Sequence, residues 1–248
     1  MPEEMERQTS PEEGRLYGPV STLAVGLLIL ALSQIVQIPL LLGALIDMIR
    51  EGRSPNAENL LLGGAVLERG VIAGAVVGIA LTALFTLRRR PYPAAKYLGL
   101  LWSGWGRFLA ATAIGAVAFI AIEIFRTRLG GEPVPEFLLR AYRSSPTPIV
   151  LWFAIAVAAP LFEEILVRGF LLHGLAASRM GWIGAVGITS LLWTLPHIQY
   201  GPTDMTTIFL NGIVLGWSRL AAGSIWPAIL LHVAVNAAGV AQVAALAG

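Results

Sequence analysis

Residues 148–178 read PIVLWFAIAVAAPLFEEILVRGFLLHGLAAS, and this stretch decides the fold. It is longer than the roughly 20 apolar residues that a helix needs to cross a bilayer. Near its middle it nevertheless carries Glu163, Glu164 and Arg168. Ionisable side chains inside a membrane span are costly, so they mark functional positions by default. The stretch therefore predicts a membrane helix that carries a functional site.

Six further apolar stretches accompany this one. They are Leu16–Ile46, Gly70–Leu87, Tyr97–Ile122, Trp182–His197, Thr206–Leu220 and Ser224–Leu246. The pattern predicts an all-α, polytopic membrane helix bundle with seven transmembrane helices, or eight if residues 16–46 or 130–145 contain another. Residues 136–142, within a Pro- and Gly-rich segment, predict a short interfacial helix between the third and fourth spans. The seams Gly70-xxx-Gly74-xxx-Gly78 and Gly212-xxx-Gly216 predict close contacts between helices.

The composition excludes a soluble globular domain. Apolar residues make up 56% of the 248 positions and charged residues 13%, against about 45–50% and 25% in soluble domains. Cysteine is absent from the sequence, which excludes a disulfide framework, thiolate ligands and a cysteine nucleophile. The chain is therefore expected to be an integral, multi-pass membrane protein.

The charges separate an acidic N-terminal tail, residues 1–15, from the rest of the chain. The acidic residues of that tail are Glu3, Glu4, Glu6, Glu12 and Glu13, whereas the formal net charge of the whole chain is +2. No basic stripe interleaved with aromatic residues follows, so nucleic acid is excluded as a partner. A modest positive balance in an apolar chain favours membrane lipids as partners instead.

The two adjacent carboxylates have different surroundings in a helix. Glu164 and Arg168 are four residues apart with the acid first, which is the favourable order for a helical ion pair. Glu163 lies about 100° away around the helix and cannot share this pairing equally. One carboxylate is therefore neutralised by arginine, and the other is free to act as a base. The alternative, an ion pair at the membrane edge with a solvated second glutamate, conflicts with the depth of Glu163 in the span.

Two further elements contribute histidine. The stretch Trp193-Thr-Leu-Pro-His197 places its histidine on a backbone that the proline distorts, at a depth similar to that of Glu163. In His232-Val-Ala-Val-Asn236, an imidazole and an amide share one helix face. We therefore predict that Glu163, His197, His232 and Asn236 face one cavity. These groups are suited to activating a water for attack on a carbonyl, with asparagine as an oxyanion donor.

The sequence lacks the motifs that other classes of intramembrane hydrolase require. The sequence has no His-Glu-x-x-His and no Gly-x-Ser-x-Gly motif, and its only aspartates, Asp47 and Asp204, stand at span ends. A zinc ion held by Glu163, His197 and His232 and a metal-free Glu–His site both remain open. So does a non-enzymatic protein such as a proton-coupled transporter, because intramembrane Glu and His also relay protons. Such a transporter more often shows repeated halves, and none is found.

The three motifs resemble those of the CAAX-protease/Abi proteins, also called the CPBP group of intramembrane proteases. In the order of that family, the chain has Glu163-Glu164-x-x-x-Arg168, then Trp193-x-x-x-His197, then His232-x-x-x-Asn236. The family pattern has Phe where this chain has Trp193, which changes a packing residue and leaves the histidine in place. The resemblance covers about residues 146–240. It implies a catalytic core at 146–248, preceded by N-terminal transmembrane helices and an interfacial segment at 16–145.

The resemblance also implies roles for the residues. Glu163 would be the base that activates water, with His197 assisting, and His232 and Asn236 would position the water or stabilise the oxyanion. Glu164 and Arg168 would orient the site, and Trp193 would be a structural or site-orienting residue with them. The implied activity is hydrolysis of a peptide bond in a membrane-associated protein or peptide, lipidated or CAAX-like, in a prokaryotic plasma membrane. One Zn2+ or another divalent metal is the implied cofactor of a metalloprotease, and a bacteriocin-immunity factor is the non-enzymatic alternative within the family.

Overall fold

The computed structural model describes residues 17–247 except 53, 55, 89–92 and 132–133. The acidic tail predicted at residues 1–15 lies outside the described residues. Across the described residues the chain is helical and contains no strand, which confirms the all-α class. The helices are α1 (Pro19–Ile35), α2 (Ile38–Arg50), α3 (Ala57–Leu62), α4 (Gly64–Leu87), α5 (Ala94–Tyr97), α6 (Trp105–Arg128), α7 (Glu136–Ser144), α8 (Pro148–Ala176), α9 (Gly181–Thr194), α10 (Pro202–Ala222) and α11 (Trp226–Ala247).

Five helical stretches in the described part of the chain are long and apolar enough to cross a membrane. They are Pro19–Arg50, which combines α1 and α2, together with α4, α6, α8 and α11. The other two predicted spans fall on shorter or more polar helices. α9 has 14 residues, and α10 carries Asp204, Asn211 and Arg219 along its length. The five stretches support an integral membrane protein, whereas the count of seven or eight spans is not confirmed and stays a prediction.

The long helix α8 departs from regular α-helical geometry in two places. It begins at Pro148, whose fixed φ and missing N–H suit a first helical turn. Residues Ala154–Ala158 and Glu164–Leu171 are π-helical. Such segments are rare and occur frequently at functional sites. The second one begins at Glu164 and includes Arg168, so the irregular backbone coincides with the predicted functional residues.

The described residues form two compact units, each assembled from three chain segments. The first contains the described parts of Met1–Leu28, with Leu81–Gly131 and Glu163–His232. One cluster of its apolar core consists of Phe119, Val167, Trp193, Leu215, Ala228 and Leu231.

Glycines allow α9 and α10 to approach closely in this unit. A Cβ on Gly212 would lie 2.9 Å from the Cβ of Ser190, and one on Gly216 would lie 3.1 Å from Cγ1 of Val186. Both separations are tighter than ordinary contacts between side chains. The small-residue seam predicted at 212–216 is therefore present.

The second unit contains the described parts of Ile29–Ala80, Glu132–Phe162 and Val233–Gly248. In it, the buried carboxylate of Glu68 accepts hydrogen bonds from the Ser145 hydroxyl at 2.7 Å and the Thr147 amide at 3.2 Å. These bonds satisfy polar groups just before α8 and so fix the start of that helix. A Cβ on Gly74 would lie 3.0 Å from the backbone oxygen of Ser33, which confirms the second glycine seam.

The predicted interfacial segment forms the helix α7, which belongs to the second unit. Its exposed Glu136 and Arg140 form an i,i+4 ion pair at 2.7 Å, and Ala141 on the same helix is buried. The amide of Gly64 donates to the hydroxyl of Ser144 at 3.1 Å. The helix is thus present where it was expected, and its location at a membrane surface stays a prediction.

Candidate active site

Glu164 and Arg168 form the predicted ion pair inside the first unit. Nη1 of Arg168 donates to Oε1 of Glu164 at 2.8 Å, and the two side chains are 1% and 0% exposed, respectively. Nη2 of Arg168 donates to the backbone oxygen of Gly212 at 3.3 Å. The arginine therefore joins α8 to α10 and neutralises Glu164, because an unpaired buried charge would be strongly unfavourable.

His232 from α11 contacts both carboxylates. Its Nδ1 lies 2.9 Å from Oε1 of Glu164, and its Nε2 lies 3.9 Å from Oε2 of Glu163. An ionised carboxylate can only accept, so Nδ1 is the protonated nitrogen and donates to Glu164. Glu164 thereby fixes the orientation of the ring, and Nε2 is directed to Glu163. The separation of 3.9 Å is too long for a direct hydrogen bond but short enough for one water to contact both groups.

Glu163 differs from Glu164 in its exposure and its partner. Its side chain is 25% exposed, whereas that of Glu164 is fully buried. Its Oε2 accepts a hydrogen bond from the indole N–H of Trp193. Within the described residues Oε1 has no hydrogen-bond donor. The free carboxylate predicted from the sequence is thus Glu163, held through one oxygen and open at the other.

Trp193 contacts more of the predicted residues than any other side chain of the site. Its ring lies 5.1 Å from the His232 ring and 5.5 Å from the His197 ring, both in edge-on geometry. The guanidinium carbon of Arg168 lies 4.5 Å from the centroid of the indole. The sequence assigned Trp193 a structural or site-orienting role, and its burial agrees with packing. Its hydrogen bond to Glu163 was not foreseen, because nothing along the chain indicates where the indole N–H points.

His197 closes a 3-10 turn, Leu195–His197, that follows α9 directly. Its Nδ1 lies 2.9 Å from the backbone oxygen of Trp193. Since a carbonyl oxygen can only accept, Nδ1 carries the proton and Nε2 is left available. Among the described residues His197 makes no direct hydrogen bond or ion pair with either carboxylate, so its assisting role stays a prediction.

Tyr200 is a neighbour of the site that the sequence analysis did not single out. Its ring lies 5.8 Å from the His197 ring, and its amide donates to the His197 backbone oxygen at 2.9 Å. Burial raises the pKa of the Tyr200 phenol to about 12, and the charges of Glu163 and Asp204 act in the same direction. The hydroxyl therefore stays protonated at neutral pH. Only its position in the sequence, three residues after His197 and just before α10, could have indicated that Tyr200 lies near the site.

Asn236 lies one turn beyond His232 on α11, within the second unit. Its amide nitrogen donates to the backbone oxygen of Ile155 at 2.9 Å. Ile155 belongs to the first π-helical segment of α8, where widened turns disturb the regular hydrogen-bond pattern. The amide has a second N–H and an oxygen in addition. The oxyanion role of Asn236 stays a prediction.

The predicted zinc ligands are Glu163, His197 and His232, and protein groups already engage part of this set. Within the described part of the chain, no three His, Asp or Glu side chains group closely enough to hold a metal ion. Glu164 is engaged by Arg168 and His232, and one oxygen of Glu163 is engaged by Trp193. The set of Glu163, His197 and His232 therefore does not fit a zinc site in this arrangement.

Comparison with known proteins supports the resemblance that the motifs indicated. Residues 145–238 match the family described as type II CAAX prenyl endopeptidase Rce1-like. An Escherichia coli protein described as an uncharacterized 24.3 kDa protein is 30% identical over 132 residues, which is 51% of this chain and 60% of that protein. The chain thus matches about three fifths of the length of this relative. No solved structure matches the chain. The part of the chain that carries all three motifs, residues 145–238, is thereby confirmed as similar to the type II CAAX prenyl endopeptidases.

Proposed function

We propose that this chain is an intramembrane endopeptidase in which Glu163 activates a water molecule for attack on a peptide carbonyl. One observation carries the proposal: the Nε2 atom of His232 faces Oε2 of Glu163 at 3.9 Å, with the ring fixed through Nδ1 by Glu164. A water between these groups would contact a base and an oriented imidazole at the same time.

The proposed reaction uses the two carboxylates differently. Glu163 takes a proton from the water, and the resulting hydroxide attacks the carbonyl carbon to give a tetrahedral intermediate. The protonated Glu163 then returns the proton to the amide nitrogen as the peptide bond breaks, which leaves an amine and a carboxylic acid. The acid then gives its proton to the amine, so the products are a carboxylate and an ammonium group. Glu164 takes no part in proton transfer because its Oε1 is already engaged by Arg168 and His232. It holds His232, and His232 holds the water.

The surroundings of Glu163 are compatible with this role. The side chain is partly exposed, so water and a substrate have access, while its neighbours Glu164, Arg168 and Trp193 are buried. Groups fixed in a low-dielectric site stabilise developing charge without reorganising during the reaction. His197, whose Nε2 carries no proton and is available, assists as a second proton acceptor.

The proposed substrate is a membrane-associated protein or peptide, with a lipidated or CAAX-like chain as the first class to examine. The family match at residues 145–238 and the five candidate spans support this class. A prokaryotic plasma membrane is the proposed location. No step of the proposed reaction is assigned to a metal ion.

Comparative proteomics of membranes tests the proposal. Membranes that contain the wild-type chain and membranes that contain Glu163→Gln are compared for protein termini. We expect a set of new termini in the wild type that vanishes in the variant, with equal amounts of both proteins. Identical termini in the two samples would contradict the protease and favour a non-enzymatic role, such as binding of a target or proton-coupled transport.

A further inference from the structure

Trp193 supplies the one donor that holds the Glu163 carboxylate among the described residues. Its indole N–H donates to Oε2 of Glu163, the same oxygen that lies 3.9 Å from Nε2 of His232. The indole itself is 8% exposed and packs in the apolar core with Val167 and Leu231. A rigid, buried ring thus sets the position of an oxygen that faces the imidazole.

An indole differs chemically from the other groups near Glu163. It only donates, so it cannot take the proton that Glu163 receives from water. It is also neutral, so its hydrogen bond adds no positive charge beside the Glu163 carboxylate. A direct contact with the guanidinium of Arg168 would add one. The guanidinium of Arg168 lies against the indole face at 4.5 Å and bonds to Glu164 instead. The two carboxylates are therefore held by different donors, one neutral and one cationic.

We propose that Trp193 is a positioning residue for the general base. Its N–H holds Oε2 of Glu163 at the spacing from Nε2 of His232 that one water spans, so the water that Glu163 deprotonates lies beside the oriented imidazole. This inference rests on the proposed protease function as far as catalysis is concerned. The hydrogen bond itself is independent of any activity, so the two are tested separately.

The hydrogen bond is tested with the indole 15N–H signals of tryptophan-labelled protein in detergent. The chain has seven tryptophans, and Trp193→Phe identifies the signal of interest by its loss. We expect Glu163→Gln to shift that signal, because a neutral amide oxygen is a weaker acceptor than a carboxylate. Trp226 is the matched control, since its indole N–H donates to the Leu100 backbone oxygen at 2.9 Å. Its signal should stay in place in Glu163→Gln.

The positioning role is tested by kinetics on a peptide that spans a cleavage site found by the membrane proteomics. Trp193→Phe keeps a ring in the core and removes the N–H. We expect kcat to fall about 5- to 20-fold, the effect of losing one hydrogen bond that orients the base, with KM within about twofold. Trp226→Phe should keep the wild-type kcat. Replacement of Trp193 by 3-benzothienylalanine, which has the shape of tryptophan without the N–H, should reproduce the loss even if the phenylalanine variant folds poorly.

Each outcome decides part of the proposal. A Trp193 signal that does not respond to Glu163→Gln would overturn the hydrogen bond. A normal kcat in the benzothienylalanine protein, with the signal responding as expected, would overturn the positioning role. If the wild type cleaves nothing and the signal still responds, the protease proposal fails while the hydrogen bond is supported.

Discussion

Nδ1 of His232 donates to Oε1 of Glu164 across 2.9 Å, although 68 residues separate them along the chain. The same oxygen accepts from Arg168 at 2.8 Å. Glu164 therefore holds an arginine from its own helix and a histidine from α11. Because the ring is fixed in this way, its other nitrogen is directed to Glu163, and the two neighbouring carboxylates acquire separate tasks.

The buried ion pair provides the first prediction. Arg168→Ala leaves the buried carboxylate of Glu164 without its cationic partner, so we expect a loss of about 3–5 kcal/mol in the free energy of unfolding and a lower folded yield. Thermal unfolding in detergent measures it. Arg140→Ala is the matched control, because Arg140 and Glu136 form the same i,i+4 pair at 2.7 Å on an exposed surface. That change should cost less than about 0.5 kcal/mol. Equal thermal stability of the two variants would show that the Arg168 pair is not buried in the membrane-embedded protein.

The second prediction separates the two glutamates. Glu163→Gln should lower kcat by about 10²- to 10⁴-fold, the usual contribution of a general base, with little change in unfolding temperature. Glu164→Gln should instead lower the unfolding temperature, because Arg168 loses the charge that compensates it. Activity and unfolding temperature are measured on both purified variants. A stable, inactive Glu164→Gln together with an active Glu163→Gln would reverse the assignment of the base.

The third prediction concerns the contact between α9 and α10. Gly212→Ala places a methyl group against Ser190 and displaces the backbone oxygen that accepts from Arg168 at 3.3 Å. We expect a loss of about 1–3 kcal/mol in stability, measured by thermal unfolding. On α9, Gly187→Ala has open space within 4 Å and should be neutral or stabilising by up to about 1 kcal/mol, since alanine favours a helix. Tolerance of both changes would mean that the two helices do not approach this closely.

The fourth prediction addresses metal dependence. We expect a chelator to leave proteolysis intact, because Glu164 and one oxygen of Glu163 are already engaged by protein donors and no group of three ligands forms among the described residues. Elemental analysis of the purified protein is run beside the activity assay. The opposite result is stoichiometric zinc that chelation removes together with activity, and whose addition restores activity. It would establish a metal site, with the side chains of the ligands in a different arrangement from the one described here.

The sequence alone was sufficient to predict those features that are set by residues close to one another along the chain. Long apolar stretches predicted membrane helices because their length matches a bilayer. The spacing of Glu164 and Arg168 predicted their ion pair, since residues four apart lie on one helix face. The proline before His197 predicted an irregular turn, which the structure shows as a 3-10 turn. Each of these follows from geometry within one element.

The tertiary structure decided which side chains from different helices meet. The contacts of Trp193 with Glu163, of His232 with Glu164 and of Arg168 with the Gly212 backbone join residues 30 to 68 positions apart. No helical period encodes them, because they depend on how α8, α9, α10 and α11 pack. Packing also directed the indole N–H of Trp193 to Glu163 and the amide of Asn236 to Ile155. The sequence could name these side chains, but the direction of a donor is set by the rotamer that the surrounding core allows.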